Sequence, residues 1–184
     1  MDKQECILLF NSLHPNFFES DFICDLPDEY VFDEMILFLD EFDAHIYDKR
    51  LDGSVSFGFY EGDIDGLRKK VEKVDKDWVQ FFDGSDRMFC GYVKGRVASF
   101  CLVDDMGIHK INGHELKIGG PGCVGTLPEY RDKGIGLTMI KNVTQILKEE
   151  GYDCSYIHYT YLAQWYERLG YKTLIRWSRN GVKL

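Results

Sequence analysis

The stretch 122–137 constrains the fold of this chain more than any other part of its sequence. It begins as a β-type run that ends at Pro128, continues as a charged turn with two glycines, and becomes a helix with periodic apolar residues. That periodicity predicts a helix over 135–149, which Gly151 ends as a C-cap. A strand that leads into a helix through a glycine turn is typical of sheets that carry helices on their faces.

The rest of the chain divides into a helical and hairpin-rich front and a regular back half. Helices are predicted over 1–13, 28–42, 63–74, 75–82, 135–149 and 162–169, and strands over 45–51, 54–60, 88–92, 96–103, 114–127, 154–158 and 171–177. Asp52-Gly53 and Lys94-Gly95 are typical hairpin turns. The pattern predicts one mixed α/β (α+β) domain over 1–184, in which an antiparallel front half joins a β-α-β-α-β back half and helices lie on both faces of the sheet.

The run Gly119-Gly120-Pro121-Gly122 lies inside the predicted strand 114–127. Proline has no N–H to donate to a sheet, so a bulge or a broken pairing is expected there. Such a break would free backbone groups of Cys123, Val124 and Gly125 for a ligand. The alternative is a strand that starts only at Cys123, after a loop.

Net charge and cysteine usage exclude several classes of function. The formal net charge is −9, which argues against nucleic-acid binding because phosphate contacts require a basic surface. No apolar run is long enough to span a membrane, and residues 1–5 lack the features of a secretory signal, so we predict a cytoplasmic protein. The six cysteines and five histidines are dispersed, which favours reduced thiols and no metal site.

Acidic residues are concentrated at the start of the chain. Residues 1–48 hold thirteen Asp or Glu and one Lys, whereas the remainder holds eighteen acids and twenty-one bases. One interpretation is a solvated face that keeps the protein soluble. The other is that the acidic extension 1–50, with its aromatic residues, attracts a cationic amine while the rest attracts an anionic cofactor. The aromatic residues are Phe17, Phe18, Phe22, Tyr30 and Phe32.

The turn 131–136 has the chemistry of an anion site. The start of a helix presents unpaired N–H groups, Gly134 and Gly136 allow close approach to the backbone, and Arg131 and Lys133 add positive charge. The alternative is a tight strand-to-helix connection without a ligand. The pattern is neither the phosphate loop of NTPases nor the dinucleotide fingerprint.

Two motifs together resemble the GNAT N-acetyltransferase superfamily. The run Arg131 to Gly136 resembles its acyl-CoA signature, R/Q-x-x-G-x-G/A, and Tyr166 to Tyr171 resembles its Y-x-x-x-G-F/Y segment. The order of elements over 88–177 also matches. The resemblance implies a mixed, mostly antiparallel central sheet with a pair of splayed central strands, acetyl-CoA as cosubstrate and a defined set of contact residues. They are Cys123, Val124, Gly125, Arg131, Asp132, Lys133, Gly134, Ile135, Gly136 and Leu137.

The resemblance also implies a mechanism, in which an amine attacks the thioester directly. Tyr166 is then the acid that protonates the leaving thiolate, and the Val124 N–H stabilises the oxyanion. For the general base the sequence leaves three candidates and ordered water open; the three are Glu115, His158 and Asp105. The sequence has no His or Asp at a spacing from Cys123 that identifies a partner base, so it does not support an acyl-enzyme on this cysteine. Where many members carry Asn, this chain has Tyr159, which puts the pantetheine contacts in doubt.

The acceptor is expected to be a small-molecule or peptide amine, and a cationic one suits the acidic extension. Two other functions are compatible with the same residues: an acyl-CoA-binding module without catalysis, and a nucleotide-phosphate-binding protein. The hydrophobic N-terminal helices are also compatible with a homodimer interface.

Overall fold

The computed structural model describes residues 1–183, and across them one sheet of eight strands runs through the molecule. The strands are β1 (Phe32–Phe38), β2 (Val55–Phe59), β3 (Arg87–Val93), β4 (Arg96–Ile111), β5 (His114–Thr126), β6 (Cys154–Thr160), β7 (Lys172–Ser178) and β8 (Gly181–Lys183). Their order in the sheet is β2-β3-β4-β5-β6-β1-β7-β8. Only the β5–β6 pair is parallel. The predicted mixed, mostly antiparallel fold is confirmed.

Five α-helices cover the two faces of this sheet within the described residues. They are α1 (Lys3–Leu13), α2 (Asp21–Cys24), α3 (Ile64–Val71), α4 (Ile135–Glu149) and α5 (Ala163–Glu167), with 3-10 turns at Phe17–Glu19, Lys76–Phe81 and Pro128–Tyr130. Helices α4 and α5 pack on one face. Helix α1 packs on one half of the other face and α3 on its other half. No helix in 1–183 combines the length and apolar character needed to cross a membrane.

The prediction of a helix over 28–42 is wrong, because this region contains strand β1. That strand lies between β6 and β7, and six of its seven residues are buried. A strand buried on both faces carries a nearly continuous apolar run, and such a short run lacks the alternation that distinguishes a strand from a helix. The acidic N-terminal region therefore supplies an inner strand of the sheet.

The predicted hairpin over 45–60 is also wrong. Only its second arm is a strand, β2, and it pairs with β3. The Asp52 carboxylate accepts a hydrogen bond from the Ser54 N–H at 2.8 Å, so this Asp-Gly pair forms a local Asx turn before β2. Residues 45–51 form a loop that lies against α4. The Lys141 ammonium of that helix donates a hydrogen bond to the Tyr47 carbonyl at 3.0 Å.

The other element predictions are confirmed with small changes of boundary, with two exceptions. Strand β4 continues to Ile111, well beyond the predicted end at 103, and the predicted helix over 75–82 is a 3-10 helix, Lys76–Phe81. The Asp63 side chain caps α3 through the Gly66 N–H, and the hairpin turns at 94–95 and 112–113 join β3 to β4 and β4 to β5. Strand β8 was not predicted. The six cysteines are free: three are buried, two are half-buried and Cys24 is exposed.

Salt bridges partly neutralise the acidic extension 1–50. Three of its carboxylates pair with cations of β7 and of the turn that follows it: Asp28 with Arg179, Asp33 with Arg176, and Glu41 with Lys172. These pairs attach the N-terminal region to the C-terminal strands. They also reduce the negative charge that is left to attract a cationic ligand.

Candidate functional site

Strand β5 contains a bulge, which lies directly after the run Gly119–Gly122 and not within it as the sequence predicts. Gly122 is opposite Leu102 and Gly125 is opposite Phe100, so β5 has one residue more than β4 between these pairs. Cys123 takes up the extra length with a left-handed backbone, φ 47°. Strand β5 is continuous through 119–122, so the alternative of a strand that starts only at Cys123 is wrong.

Strands β5 and β6 pair at only two positions and then separate. Ile118 is opposite Cys154 and Gly119 is opposite Ser155. We call the unpaired stretch, residues 120–126 of β5 and 156–160 of β6, the split. At its start the Gly120 backbone lies so close to the Tyr156 carbonyl that a Cβ would clash with it. The split is the splayed strand pair that the family resemblance implies.

Strand β6 has a bulge of its own across the split. Asp33 is opposite Thr160 and Met35 is opposite Ile157, so β6 has the extra residue there. Tyr159 takes it up with φ 56°. A left-handed non-glycine residue is unfavourable, and such residues concentrate at functional sites. A family Asn at this position would adopt that conformation more easily than Tyr.

Helix α4 begins with an open N-terminus beside the end of β5. Gly134 is its N-cap, with φ 83°, and no side chain caps the first turn. The free N–H groups and the helix dipole make this turn suitable for an anion. Gly136 is needed for packing, since a Cβ there would lie 2.6 Å from the Thr126 hydroxyl.

A basic depression adjoins this turn. Its volume is about 270 Å³, and its charged lining consists of one acidic residue, Asp52, and three cations: Arg50, Lys94 and Lys133. Tyr130 and Ile135 line the same depression, which places it against the start of α4. Positive charge next to free helix N–H groups is the arrangement that binds phosphate groups.

The side chains over Gly134 fit a phosphate group. A Cβ at this glycine would clash with the Lys49 side chain and lie 2.9 Å from the Tyr47 hydroxyl. That hydroxyl is buried and has no hydrogen-bond partner among residues 1–183. A buried donor without a partner is costly, and a phosphate oxygen would satisfy it. The sequence analysis missed Tyr47, Lys49 and Arg50 because it assigned 45–51 to the first strand of a hairpin. It missed Lys94 because it interpreted Lys94-Gly95 only as a hairpin turn.

The predicted cations of the loop also hold the loop in place. Arg131 donates through Nε to the Thr126 carbonyl at 3.1 Å, and Lys133 donates to the Glu129 carbonyl at 2.7 Å. Asp132 is exposed and left-handed, with φ 61°. The structure therefore places the predicted residues 131–137 together at the start of α4, at the end of the strand that contains Cys123, Val124 and Gly125.

Tyr166 lies in the core on the α4 side of the split. It is 4% exposed and belongs to the same apolar cluster as Cys101, and Val124 packs against that cluster. Burial, with Tyr171 and Cys101 nearby, raises the pKa of Tyr166 far above its ordinary value. The hydroxyl therefore keeps its proton at neutral pH, as a proton donor must.

Of the three candidate bases, the structure places only His158 at the split. Glu115 is exposed at the far end of the β4–β5 hairpin, and Asp105 is exposed and accepts from the Gly107 N–H. A further carboxylate, Asp104, was missed. Its oxygen would lie 2.6 Å from a Cβ at Gly122, and burial raises its pKa to about 6.

Two of the five aromatic residues of the acidic extension contribute to an exposed surface near His158. Phe17, Phe18 and Phe32 pack into the core under α1. Phe22 and Tyr30 are exposed, at 64% and 42%. Their rings lie about 6 Å from those of Tyr159 and Tyr161 respectively.

A family model described as the acetyltransferase (GNAT) domain matches residues 66–174. No curated protein matches the sequence significantly. Among solved structures, the GCN5-related glucosamine N-acetyltransferase region of a fungal multi-domain GH3 β-N-acetylglucosaminidase has 21% identity and a TM-score of 0.66, covering 79% of this chain and 20% of that one.

Two bacterial structures are similar over the same share of this chain. A GCN5-related N-acetyltransferase from Sphaerobacter thermophilus has 16% identity and a TM-score of 0.57, with 49% of its own length covered. A GNAT-family protein from Novosphingobium aromaticivorans has 18% identity and a TM-score of 0.53, with 61% covered. The chain thus spans less than two thirds of each of these proteins, and at such identities the likeness concerns the fold.

Proposed function

Because the chain belongs to the GNAT acetyltransferase family, we propose that it transfers the acetyl group of acetyl-CoA to a primary amine. The observation that carries this proposal is the basic depression at the open start of α4, beside the end of the split strand β5. The depression would hold the phosphates of coenzyme A, and the split would take the acyl-pantetheine.

The chain's own residues supply the binding chemistry. The first-turn N–H groups of α4 and the buried Tyr47 hydroxyl donate to phosphate oxygens. Lys49, Arg50, Lys94 and Lys133 lie close enough to this turn to add charge. The bulge at Cys123 interrupts the β4–β5 ladder, so backbone groups there are available to hydrogen-bond the pantetheine. Among them, the Val124 N–H would donate to the oxyanion.

The reaction is a direct displacement. The amine nitrogen attacks the thioester carbon, a C–N bond forms and the C–S bond breaks. The Tyr166 hydroxyl protonates the leaving sulfur and recovers a proton from the newly bonded nitrogen.

A cytoplasmic location, a metal-free reaction and a homodimer remain predictions from the sequence.

The acceptor is a partly apolar amine in this proposal. Exposed Phe22, Tyr30 and Tyr161 would contact its apolar part, and aromatic faces also attract cations. The similarity to a structure named as a glucosamine N-acetyltransferase region puts glucosamine among the first amines to test.

Cofactor binding is tested with two glycine variants of equal backbone strain. Gly134 and Gly151 both have positive φ, but a Cβ at Gly151 meets nothing within 4 Å. Gly134→Ala pushes a methyl group against Lys49 and Tyr47, and we expect calorimetry to show acetyl-CoA binding about tenfold weaker, or about 1.4 kcal/mol. Gly151→Ala should bind as the wild type does. Equal affinity in both variants would contradict the loop assignment.

Turnover is tested by free-thiol release with glucosamine, spermidine, lysine and an alanyl peptide. Tyr166→Phe should reduce kcat by about a hundredfold while acetyl-CoA affinity stays unchanged. Tyr92→Phe on β3 is the control. Acetyl-CoA binding without turnover of any amine by the wild type would indicate a binding module instead.

A further inference from the structure

A carboxylate that no sequence motif singled out is fully buried on the α1 side of the split. Glu34 on β1 has no exposed surface. It accepts hydrogen bonds from the Tyr156 hydroxyl and the Trp177 indole N–H, both at 2.6 Å, from His158 Nδ1 at 2.9 Å and from the Tyr159 N–H at 3.2 Å. A buried charge with this many donors is fixed in position.

The Glu34 carboxylate determines the orientation of the His158 ring. Both carboxylate oxygens lie within 3.0 Å of Nδ1, so Nδ1 carries the hydrogen and the lone pair is on Nε2. Nε2 has no hydrogen-bond partner among residues 1–183, and the side chain is 35% exposed. An imidazole held this way is a base with its accepting nitrogen available to solvent or to a ligand.

The third member of the cluster is His14, which ends α1. Its ring stacks on that of His158 with centroids 4.0 Å apart and planes at 21°. Burial, together with His158, lowers the pKa of His14 to about 4, so this ring is neutral at physiological pH. A neutral ring stacked on His158 restricts its motion without competing for its proton.

The same three side chains have ligand-type atoms within 4.8 Å of one another. Nearly parallel stacked rings direct their nitrogen lone pairs side by side, whereas ligands of one ion must converge on it. The Glu34 oxygens are also occupied by four protein donors. Hydrogen bonding therefore accounts for the positions of Glu34 and His158 without an ion, and ring stacking accounts for that of His14, whose buried Nε2 has no hydrogen-bond partner among residues 1–183.

The position of His158 connects this cluster to the reaction. His158 precedes Tyr159, the left-handed residue of the β6 bulge, and so lies on the edge of the split opposite the Cys123 bulge. The Tyr159 N–H turns toward Glu34 at this bulge. Both edges of the split thus deviate from regular strand geometry where an acyl group and an amine would meet.

We propose that His158, oriented by Glu34, is the general base that deprotonates the acceptor amine. This inference rests on the proposed acetyltransferase function. His158 Nε2 takes one proton from R–NH3⁺, which gives R–NH2 and an imidazolium. The amine attacks, the C–S bond breaks, and the second proton of the nitrogen ends on the thiolate. The imidazolium then releases its proton to water. Glu34 is a positioning residue that stabilises the imidazolium.

Several titratable groups lie near His158, and their effects on the pH profile must be distinguished from its own. Glu34 on β1, His14 at the end of α1 and Tyr159 on β6 lie next to the ring. Tyr156 on β6 contacts Glu34 and His14. Asp104 on β4, whose carboxylate lies beside Gly122 of the β5 edge, is the rival base.

The test measures kcat as a function of pH with the amine of the panel that turns over fastest. His158→Gln should lower kcat by about a hundredfold and remove the acid limb of the profile. Acetyl-CoA affinity by calorimetry should stay within twofold of the wild type. His114→Gln, an exposed histidine on the distal hairpin, should leave both unchanged. Imidazole should restore part of the activity of His158→Ala.

Glu34→Gln should shift the acid limb to lower pH, because the carboxylate no longer stabilises the imidazolium. Asp104→Asn should keep the limb. An unchanged limb in His158→Gln, its loss in Asp104→Asn, or inactivation by EDTA that zinc reverses would overturn the inference. Failure of the wild type to bind acetyl-CoA would instead contradict the proposed function.

One measurement needs neither a variant nor turnover. Long-range ¹H–¹⁵N spectra of the wild-type protein near neutral pH should show His158 as the Nδ1–H tautomer. An Nε2–H tautomer would overturn the inference, since the accepting nitrogen would then carry a proton.

Discussion

The two edges of the split have similar backbones and different side chains. Each carries a bulge with one left-handed residue, Cys123 on β5 and Tyr159 on β6. The β5 edge is rich in glycine and leads into the basic turn of α4. The β6 edge is backed by a buried carboxylate and two stacked histidines. In the proposed reaction, backbone groups of the β5 edge bind the cofactor, and a side chain of the β6 edge accepts a proton.

The largest expected effect tests whether the β6 edge depends on its buried carboxylate. Glu34→Leu keeps the volume but leaves its buried donors without an acceptor, so we expect a loss of about 3–5 kcal/mol in the free energy of unfolding, measured with urea. Glu41→Leu breaks the exposed pair with Lys172 and should cost less than about 1 kcal/mol. Equal effects would show that Glu34 does not hold the β6 edge.

The next effect tests where the two edges meet. Gly120→Ala places a methyl group against the Tyr156 carbonyl and must push β5 and β6 apart, at a cost of about 2–3 kcal/mol. The control is Gly58→Ala on β2, where a Cβ meets nothing within 4 Å and stability should change by less than about 0.5 kcal/mol. A well-tolerated Gly120→Ala would mean that the strands already separate before this residue.

The pH dependence of stability tests the neutral histidine of the β6 edge. The unfolded chain protonates His14 below about pH 6.5, whereas the folded ring stays neutral down to about pH 4. Stability should therefore fall on acidification through this window, by about 2 kcal/mol because water screens the half-buried ring. Asp104, with its raised pKa, acts in the opposite direction between its ordinary value of 3.8 and about 6.

The difference between wild type and His14→Phe isolates the histidine contribution, because Asp104 is common to both. Urea unfolding at several pH values should show that the free energy of unfolding of the wild type minus that of His14→Phe decreases as the pH falls from 6.5 to 4. A constant difference would indicate that His14 is not held neutral.

The smallest effect tests the bulge of the β5 edge. At φ 47° a Cβ is unfavourable, so Cys123→Gly should be about 1 kcal/mol more stable than Cys123→Ala. At Cys101, which is buried on β4, the order should reverse, with Ala more stable than Gly by about 1 kcal/mol. Thermal unfolding of the four variants measures both differences. The same order at both sites would contradict the left-handed bulge.

The sequence by itself determined the local parts of this protein. The turn residues, the α4 stripe and the loop 131–136 act through neighbours in the chain, so their pattern predicts strand β5, a bulge in this strand, helix α4 and the position of Tyr166. The family could be inferred from these same residues. Such features depend on short-range sterics and periodicity, which a single sequence shows directly.

Only the tertiary structure decided which distant residues meet at the split. Strand β1 lies between β6 and β7, and this placement brings Glu34 against His158, 124 residues away in the chain. The loop 45–51 in the same way brings Tyr47 and Lys49 to Gly134. An apolar run that is buried on both faces has no distinctive period, and a lone Glu or Lys carries no sign of its partner. Long-range pairing therefore determined the proposed base and half of the proposed phosphate site.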